Sequence, residues 1–490
     1  MKKVELLLPA GNLEKLEYAV NYGADAVYLG VVDFSLRAMR KGELITFDNL
    51  KTAIDLAHKY GKKAYMTLNI FAFNKDIKHL EECIEIIKDA NPDAILFSDF
   101  GIMNLLKKYM PDTPLHVSTQ TNILNYEAVK FWQDMGATRV VLARELSIPE
   151  ISEIKNKVPD MEIECFIHGA QCVSYSGRCL LSDYFTKGER ISNQGNCCQP
   201  CRWSYKLVEE TRPNEYYEIN EDAHGTHILS PNDLCLVHHL KEMIDAGVDS
   251  FKVEGRTKSL YYVSAVAKTY RQAIDELYQN PDADMEKYFY ELKKVGNRGY
   301  TTGFAIPNTI PRPMGYKVNQ NFCHSELVSE SSKILSEPVC GTEGAVVDEH
   351  SEDYNGGRGY KNAGGYSYNL SKGLAGADFL FEFQGKEKER NFCHSEFISE
   401  SPKISNNEIL KQVQDDSYLY FVKIKNKILP NDEVEIITPT EQFVTKILGI
   451  YDENGLELDV GNTNAEVYIK FEKEPQNYKY AMARTVGIKE

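Results

Sequence analysis

Over its first 260 residues the chain alternates short, nearly continuous apolar runs with longer stretches in which apolar residues recur every three to four positions. The runs Val4–Leu8, Ala26–Leu29, Ala64–Leu68, Ala94–Ser98, Leu115–Ser118, Arg139–Leu142, Ile163–Ile167 and Ser250–Glu254 predict eight strands. Between them lie LEKLEYAVNYGAD, TFDNLKTAIDLAHKYG, DIKHLEECIEIIKDA, IMNLLKKYM and YEAVKFWQDMGA. Each gathers its apolar side chains on one helical face, as Leu13, Leu16 and Val20 do in the first. Strands apolar on both faces and alternating with helices belong to a parallel sheet buried on both sides. Eight of them predict an α/β fold, a (β/α)8 TIM-like barrel over residues 1–310. The competing arrangement is an open doubly wound sheet, but no Gly-rich dinucleotide fingerprint follows the first strand.

Beyond residue 310 the period changes. The segment YLYFVKIKNKILPNDEVEIITPTEQFVTKILGIYDENGLELDVGNTNAEVYIKF alternates apolar and polar residues, with turn signals at PND, DENG and GNTN. It predicts a small C-terminal antiparallel β-barrel domain over 337–490, with GTEGAVVDEH as a further strand. Residues 311–336 form a linker carrying NFCHSELVSESSKI (321–334), which recurs as NFCHSEFISESPKI (391–404) with eleven of fourteen positions identical. Duplication by itself explains the matching thiols and histidines. The copies therefore read as repetitive inserts in surface loops, the second over 391–416, rather than as a metal site of Cys323, His324, Cys393 and His394. A Gly-rich loop lies between them.

The net charge of −16 argues against bulk electrostatic binding to nucleic acid. Lys252, Arg256, Lys258, Lys268, Arg271, Lys293, Lys294 and Arg298 form one local basic stripe, read here as solvated helix and loop surface. The apolar run of MKKVELLLPAG stops at Pro9, and no run approaches the ~20 residues of a membrane helix. A cytoplasmic protein with no membrane partner is expected.

Six of the eleven cysteines fall between Glu164 and Trp203. Cys172, Cys179, Cys197 and Cys201 are separated by six, seventeen and three residues. In a reducing compartment such clustering favours metal or redox chemistry over disulfides. Paired C-x2-C spacing, usual for zinc, occurs only at Cys198 and Cys201, and bacterial ferredoxin spacing is absent. Spacing alone leaves zinc and an iron–sulfur cluster both open. The segment follows the seventh strand, so it forms an insertion (about 168–230) over the carboxyl ends of the barrel strands, where such barrels carry their chemistry. Those ends read Pro9, Gly11, Gly30, Asn69, Asp99, Ser118, Gln120, Arg144, Glu145, His168, Glu254 and Arg256, polar enough to line a site. Turn formation explains Pro9 and Gly11 equally well, and helix capping explains Asp99.

The residues HGAQC at 168–172, SYSGRC ending at Cys179, NQGNC ending at Cys197 and CRW at 201–203 resemble the signature of the collagenase-like peptidase family. PAGNLEKLEYAVNYGADAVYLG, HVSTQTN, EDAHGTHILSPNDLC and FKVEGRTKSLYYV extend the resemblance over residues 1–310. Within that family the chain is most similar to bacterial prephenate-dependent tRNA uridine hydroxylases. The resemblance implies hydroxylation of wobble uridine to 5-hydroxyuridine, a 4Fe–4S cluster on Cys172, Cys179, Cys197 and Cys201, and prephenate as co-substrate. The implied partners are the tRNA anticodon loop and, in addition, a second copy or a paralogue in a homo- or hetero-oligomer. Cys198 is a departure from the family pattern and an alternative to Cys197. Cys165 and Cys235 read as buried structural thiols.

On this reading His168, Glu254, Arg256 and Gln120 are the candidate catalytic residues. Arg144, Arg178 and Arg202, with Arg256, offer cations to the two carboxylates of prephenate. Asn69 offers an amide, and Tyr175 a stacking face for a splayed base, as do Trp203, Tyr261 and Tyr262. A peptidase is the alternative reading. It lacks a G-x-S-x-G elbow and an H-E-x-x-H helix, and its only candidate pair, Cys172 with His168, lies along one loop. A non-catalytic RNA-binding protein is a third reading.

Overall fold

The computed structural model describes residues 3–35, 44–202, 220–222, 225–227, 231–306, 379–388, 418–453 and 455–486. The strand at GTEGAVVDEH, both repeats and their four Cys and His residues, the Gly-rich loop and Trp203 lie outside these residues.

Eight parallel strands close on themselves: β1 (Glu5–Pro9), β2 (Ala26–Leu29), β3 (Lys63–Leu68), β4 (Ala94–Phe97), β5 (Leu115–Val117), β6 (Arg139–Val141), β7 (Glu162–Gly169) and β8 (Ser250–Val253). β1 pairs with β2 and β8, and β8 closes the ring on β7, Phe251 opposite Cys165. All eight predicted strands are present, each within a residue or two of its expected bounds. Leu6, Leu7 and Leu8 are fully buried, because a barrel strand faces side chains on one side and helices on the other.

The outer helices are α1 (Leu13–Asn21), α2 (Phe47–Lys59), α3 (Asn74–Ala90), α4 (Phe100–Tyr109), α5 (Tyr126–Asp134) and α6 (Ile148–Lys157). The insertion carries α7 (Leu181–Phe185); α8 (Leu240–Asp245), α9 (Leu260–Gln279) and α10 (Glu286–Lys293) follow. Starts are set by side-chain caps: Asn12 accepts from Lys15 N, Asn125 from Ala128 N, Ser259 from Tyr262 N. Asp99 accepts from the amides of Gly101 and Ile102, so it caps α4. Before β8 the chain returns through a short strand, Asp233–Cys235, antiparallel to the end of β7.

The barrel interior is not wholly apolar. Arg139 of β6 donates to Glu5, Glu162 and Glu164, and Lys252 of β8 donates to Glu164 at 2.6 Å. Tyr65 and Ser250 donate to Glu5. Glu164 is fully buried, and such a charge survives only because two cations share it.

The second unit is a closed antiparallel barrel of β9 (Phe379–Lys388), β10 (Tyr418–Ile424), β11 (Glu433–Ile437), β12 (Gln442–Tyr451), β13 (Glu466–Phe471) and β14 (Met482–Thr485). It docks on the helical layer of the first barrel. Arg484, fully buried, donates to Glu435 at 2.8 Å, Tyr261 Oη at 3.0 Å and Glu291 at 2.6 Å. Lys268 donates to the carbonyls of Thr438 and Glu441, and Tyr22 to those of Ile437 and Tyr480.

These contacts correct the reading of the basic stripe. Lys252, Lys268 and Lys294 are buried, and Arg271, Arg298 and Lys258 are nearly so, each facing a carboxylate or carbonyl. Charge clustering in sequence looked like solvated surface, and Lys293 is indeed exposed, but Lys268 and Lys294 face the second barrel while Lys252, Lys258, Arg271 and Arg298 pair with carboxylates of the first. Tyr261 and Tyr262 are likewise core residues of α9 and are closed to a stacking base.

Candidate active site

The strand ends converge on one cavity. It is lined by Tyr28, Thr67, Asn69, Ser118, Gln120, Arg144, Phe166, Lys252, Glu254 and Arg256 from the barrel, and by Cys172, Cys179, Cys197, Cys201 and Arg202 from the insertion. The structure thus brings together the four expected thiols and six of the other candidates: Asn69, Gln120, Arg144, Arg202, Glu254 and Arg256.

The insertion is held over the mouth by side chains of the strand ends. Glu145 accepts from the amide and hydroxyl of Ser176, which adopts a left-handed backbone conformation (φ 39°) between Cys172 and Cys179. A serine there is strained, and the carboxylate offsets that cost by taking two hydrogen bonds. Arg144 donates to Ala170 O at 3.0 Å and lies on the Phe166 ring, 3.9 Å from its centroid. Arg178 donates to Gln120 O at 2.8 Å and lies over Phe71. It is outside the cavity lining and acts as a clamp between insertion and barrel. Phe71 and Asn193 join main chains at 3.1 Å, and Gln194 reaches Phe71 O and Asp76.

The four thiols face one space. Burial pushes the thiols of Cys179 and Cys201 up, and the thiols of Cys172 and Cys197 act on both. Cys179 Sγ accepts from Leu181 N at 3.4 Å and Cys197 Sγ from Gln199 N at 3.3 Å. Among the described residues no three His, Cys, Asp or Glu side chains meet as ligands of a single metal ion do. All four thiols line the same cavity. Cys198 is outside that lining: its Sγ lies 3.2 Å from Ser182 Oγ, which also accepts from Cys198 N. Cys165 and Cys235 are buried elsewhere. Cys165 faces the core, and Cys235 lies against Tyr270 Oη at 3.7 Å with its thiol pushed up to about 11 by burial.

Hydroxyls and amides form the far wall. Gln120 Oε1 accepts from Ser118 and, at 3.4 Å, from Ser98; Asn69 Nδ2 donates to Ser118 Oγ at 3.3 Å. Arg256 donates to Ser35 Oγ and, at 3.1 Å, to Thr67 Oγ1. A side chain on Gly30 would collide with both of those hydroxyls, so a glycine at the end of β2 leaves the space in which Arg256 is fixed.

Besides Arg178, two candidates stand apart from this cavity. His168 is 1 % exposed and packs among Tyr262, Tyr270 and Tyr300, its Nδ1 3.1 Å from Tyr270 Oη. Burial pushes its pKa down to about 3. It is not among the cavity-lining residues: Glu164 and Phe166 face the barrel interior, but a register shift between Phe166 and His168 against β8 breaks the alternation and turns His168 to the outer side of β7. Tyr175 is 51 % exposed and lines a neighbouring cleft with Arg144, Cys172, Thr301 and Phe304. Sequence reasoning missed Lys252 and Thr67, which only strand parity could have flagged as inward-facing, and Ser35, which lies on a loop.

A TIM-like barrel with a thiol-bearing insertion at its carboxyl face, and a small β-barrel behind it, defines the class. Residues 11–312 match the profile of Peptidase family U32 and residues 408–484 that of the Peptidase family U32 C-terminal domain; the chain belongs to this family. Among its relatives is tRNA hydroxylation protein P of Escherichia coli (strain K12), 40 % identical over 376 residues, which are 69 % of this chain and 81 % of that protein. The tRNA hydroxylation protein P1 of Bacillus subtilis (strain 168) is 44 % identical over 305 residues, 62 % of this chain and 71 % of the relative. A 23S rRNA 5-hydroxycytidine synthase of Escherichia coli (strain K12) is 35 % identical over 307 residues, 63 % of this chain and 43 % of the relative. No helix of the described residues is long and apolar enough to cross a membrane.

Proposed function

We propose that this protein hydroxylates the wobble uridine of tRNA to 5-hydroxyuridine, with prephenate as co-substrate and a 4Fe–4S cluster held by Cys172, Cys179, Cys197 and Cys201. The observation that carries the reading is the meeting of four thiols with amide, hydroxyl and guanidinium groups on one cavity at the carboxyl face of the barrel. The donor set fits the cluster: four thiols line one space, two of them receive backbone N–H groups, and Cys198 is tied to Ser182. When bound, the cluster would supply a redox-active, Lewis-acidic iron centre at the cavity wall.

The chain's own residues divide the remaining work. Asn69, Ser118 and Gln120 present polar atoms suited to the edge of a uracil ring. Arg144, Arg202 and Arg256 are the cations for a dicarboxylate, each guanidinium oriented by a neutral partner: Ala170 O, Gln199 Oε1 and the Ser35–Thr67 hydroxyl pair. Glu254 is the one acidic side chain among the described lining residues and is placed to accept a proton. Tyr175, exposed at the adjoining cleft, offers a stacking face to a loop nucleotide. The names of the two tRNA hydroxylation relatives support the same substrate class.

The family name suggests proteolysis, and the geometry weighs against it. The thiol–imidazole pair that the sequence offers at the barrel mouth is separated, since Cys172 lines the cavity while His168 is enclosed by tyrosines. Deleting the gene and digesting bulk tRNA for nucleoside mass spectrometry tests the proposal. Loss of 5-hydroxyuridine, restored by the wild-type gene and not by Cys172→Ala, is expected. An unchanged level in a strain without a paralogue overturns it.

A further inference from the structure

Lys252 sits at the inner end of the site, and none of the candidate roles above includes it. It is 4 % exposed, stands on β8 inside the barrel, and lines the cavity. Its ammonium donates to Glu164 Oε1 at 2.6 Å; its other near neighbours are the ring faces of Tyr28 at 4.6 Å and Phe166 at 5.6 Å. Glu164 is itself shared, since Arg139 takes its second oxygen at 3.1 Å. An ammonium carries three N–H donors. Among the described residues Lys252 commits one of them, which leaves two for whatever enters the cavity.

A second cation is fixed on the same ring. Arg144 lies 3.9 Å from the Phe166 centroid and also lines the cavity. The two charges, both beside the Phe166 ring, therefore stand within roughly 10 Å of each other, a span that a small dicarboxylate can bridge with charge-assisted hydrogen bonds at both ends. A nucleobase offers only neutral carbonyl oxygens, and an RNA phosphate is too bulky a chain to reach the barrel floor beneath Arg144.

We propose that Lys252 is the inner carboxylate-binding residue of this site, gripping one end of a dicarboxylate whose other end is held by Arg144. The pairing with Glu164 fixes the ammonium in place before the ligand arrives, so the ligand meets an ordered donor. Only the identity of the dicarboxylate, prephenate, rests on the hydroxylase reading.

The test is calorimetric titration of the anaerobically purified full-length protein with prephenate, and separately with an unmodified anticodon stem–loop. Lys252→Met leaves the Glu164 charge short of one partner, so the neutral pair Lys252→Met/Glu164→Gln is measured beside it, with near-UV circular dichroism reporting the native fold. The expected result is a rise in prephenate Kd of about tenfold or more with unchanged stem–loop affinity. Wild-type prephenate affinity in a folded variant overturns the assignment of Lys252 and leaves the hydroxylase reading standing. A loss confined to the stem–loop overturns it also, placing Lys252 against RNA. If the wild-type protein fails to bind prephenate while binding the stem–loop, the co-substrate reading falls and the inference falls with it.

Discussion

Cys198 Sγ lies 3.2 Å from Ser182 Oγ, while its neighbour Cys197 opens onto the cavity of the barrel mouth. One peptide bond thus separates a proposed ligand from a structural thiol, in an irregular stretch whose next residue, Gln199, is left-handed (φ 60°). Cys198→Ser is expected to keep the iron and sulfide content of anaerobically purified protein, and Cys197→Ser to reduce it from roughly four irons per chain to below one. Equal loss in both variants would show that the two thiols exchange.

Gly30→Ala is expected to disturb the site more than the fold. The added methyl meets Ser35 and Thr67, whose hydroxyls hold Arg256, so one of them must move. Overpacking of this kind destabilises by about 1–3 kcal/mol. Thermal unfolding and tRNA hydroxylation measured on the same preparation check it; a loss of activity out of proportion to the loss of stability, with a raised KM for the proposed co-substrate prephenate, is the expected pattern.

The docking of the two barrels hinges on Arg484. Arg484→Met leaves Glu435 and Glu291 sharing Lys294 as their one remaining cation among the described residues, which is expected to cost about 3 kcal/mol. Urea unfolding followed by intrinsic tyrosine fluorescence, and limited proteolysis between the barrels, check the value. Wild-type stability would mean that the apolar contacts of Ile437 and Met482 dominate the interface.

His168 makes stability sensitive to acid. Its folded pKa, pushed down to about 3 by burial, lies below the ~6.5 of an exposed imidazole. Between those values the unfolded chain binds a proton that the folded chain refuses, so stability rises with pH across that window and is lost on acidification. The contribution approaches about 1.4 kcal/mol per pH unit at the centre of the window. His168→Gln is expected to flatten this slope in urea titrations at pH 6.5 and 5.0. An identical slope in the variant would place the acid sensitivity elsewhere.

Much of the architecture was legible in the sequence because periodicity reports burial directly. The eight strands, their order and the position of the insertion followed from apolar runs and helical faces, and an alternating pattern with turn signals announced the second barrel. The four thiols of the cavity were legible for a different reason: thiols are scarce, so their clustering is informative without any geometry. Side-chain direction was not. His168, at the end of a strand and in phase with the inward-facing Glu164 and Phe166, looked like a mouth residue, yet a bulge against β8 turns it into a cage of three tyrosines contributed by α9 and the Tyr300 segment.

The basic stripe shows the limit most clearly. Lys252, Lys268 and Lys294 carry the same side chain in one stretch of sequence, and nothing local distinguishes them from solvated lysines. Only the tertiary structure decides that Lys252 faces Glu164 inside one barrel, while Lys268 meets carbonyls of the other and Lys294 a carboxylate there. The sequence by itself determined which segments must be buried, since apolar surface leaves water wherever the chain allows it. Which charges are buried with them depends on partners that lie 88 to 173 residues away, and only the closed fold brings those partners within hydrogen-bond reach.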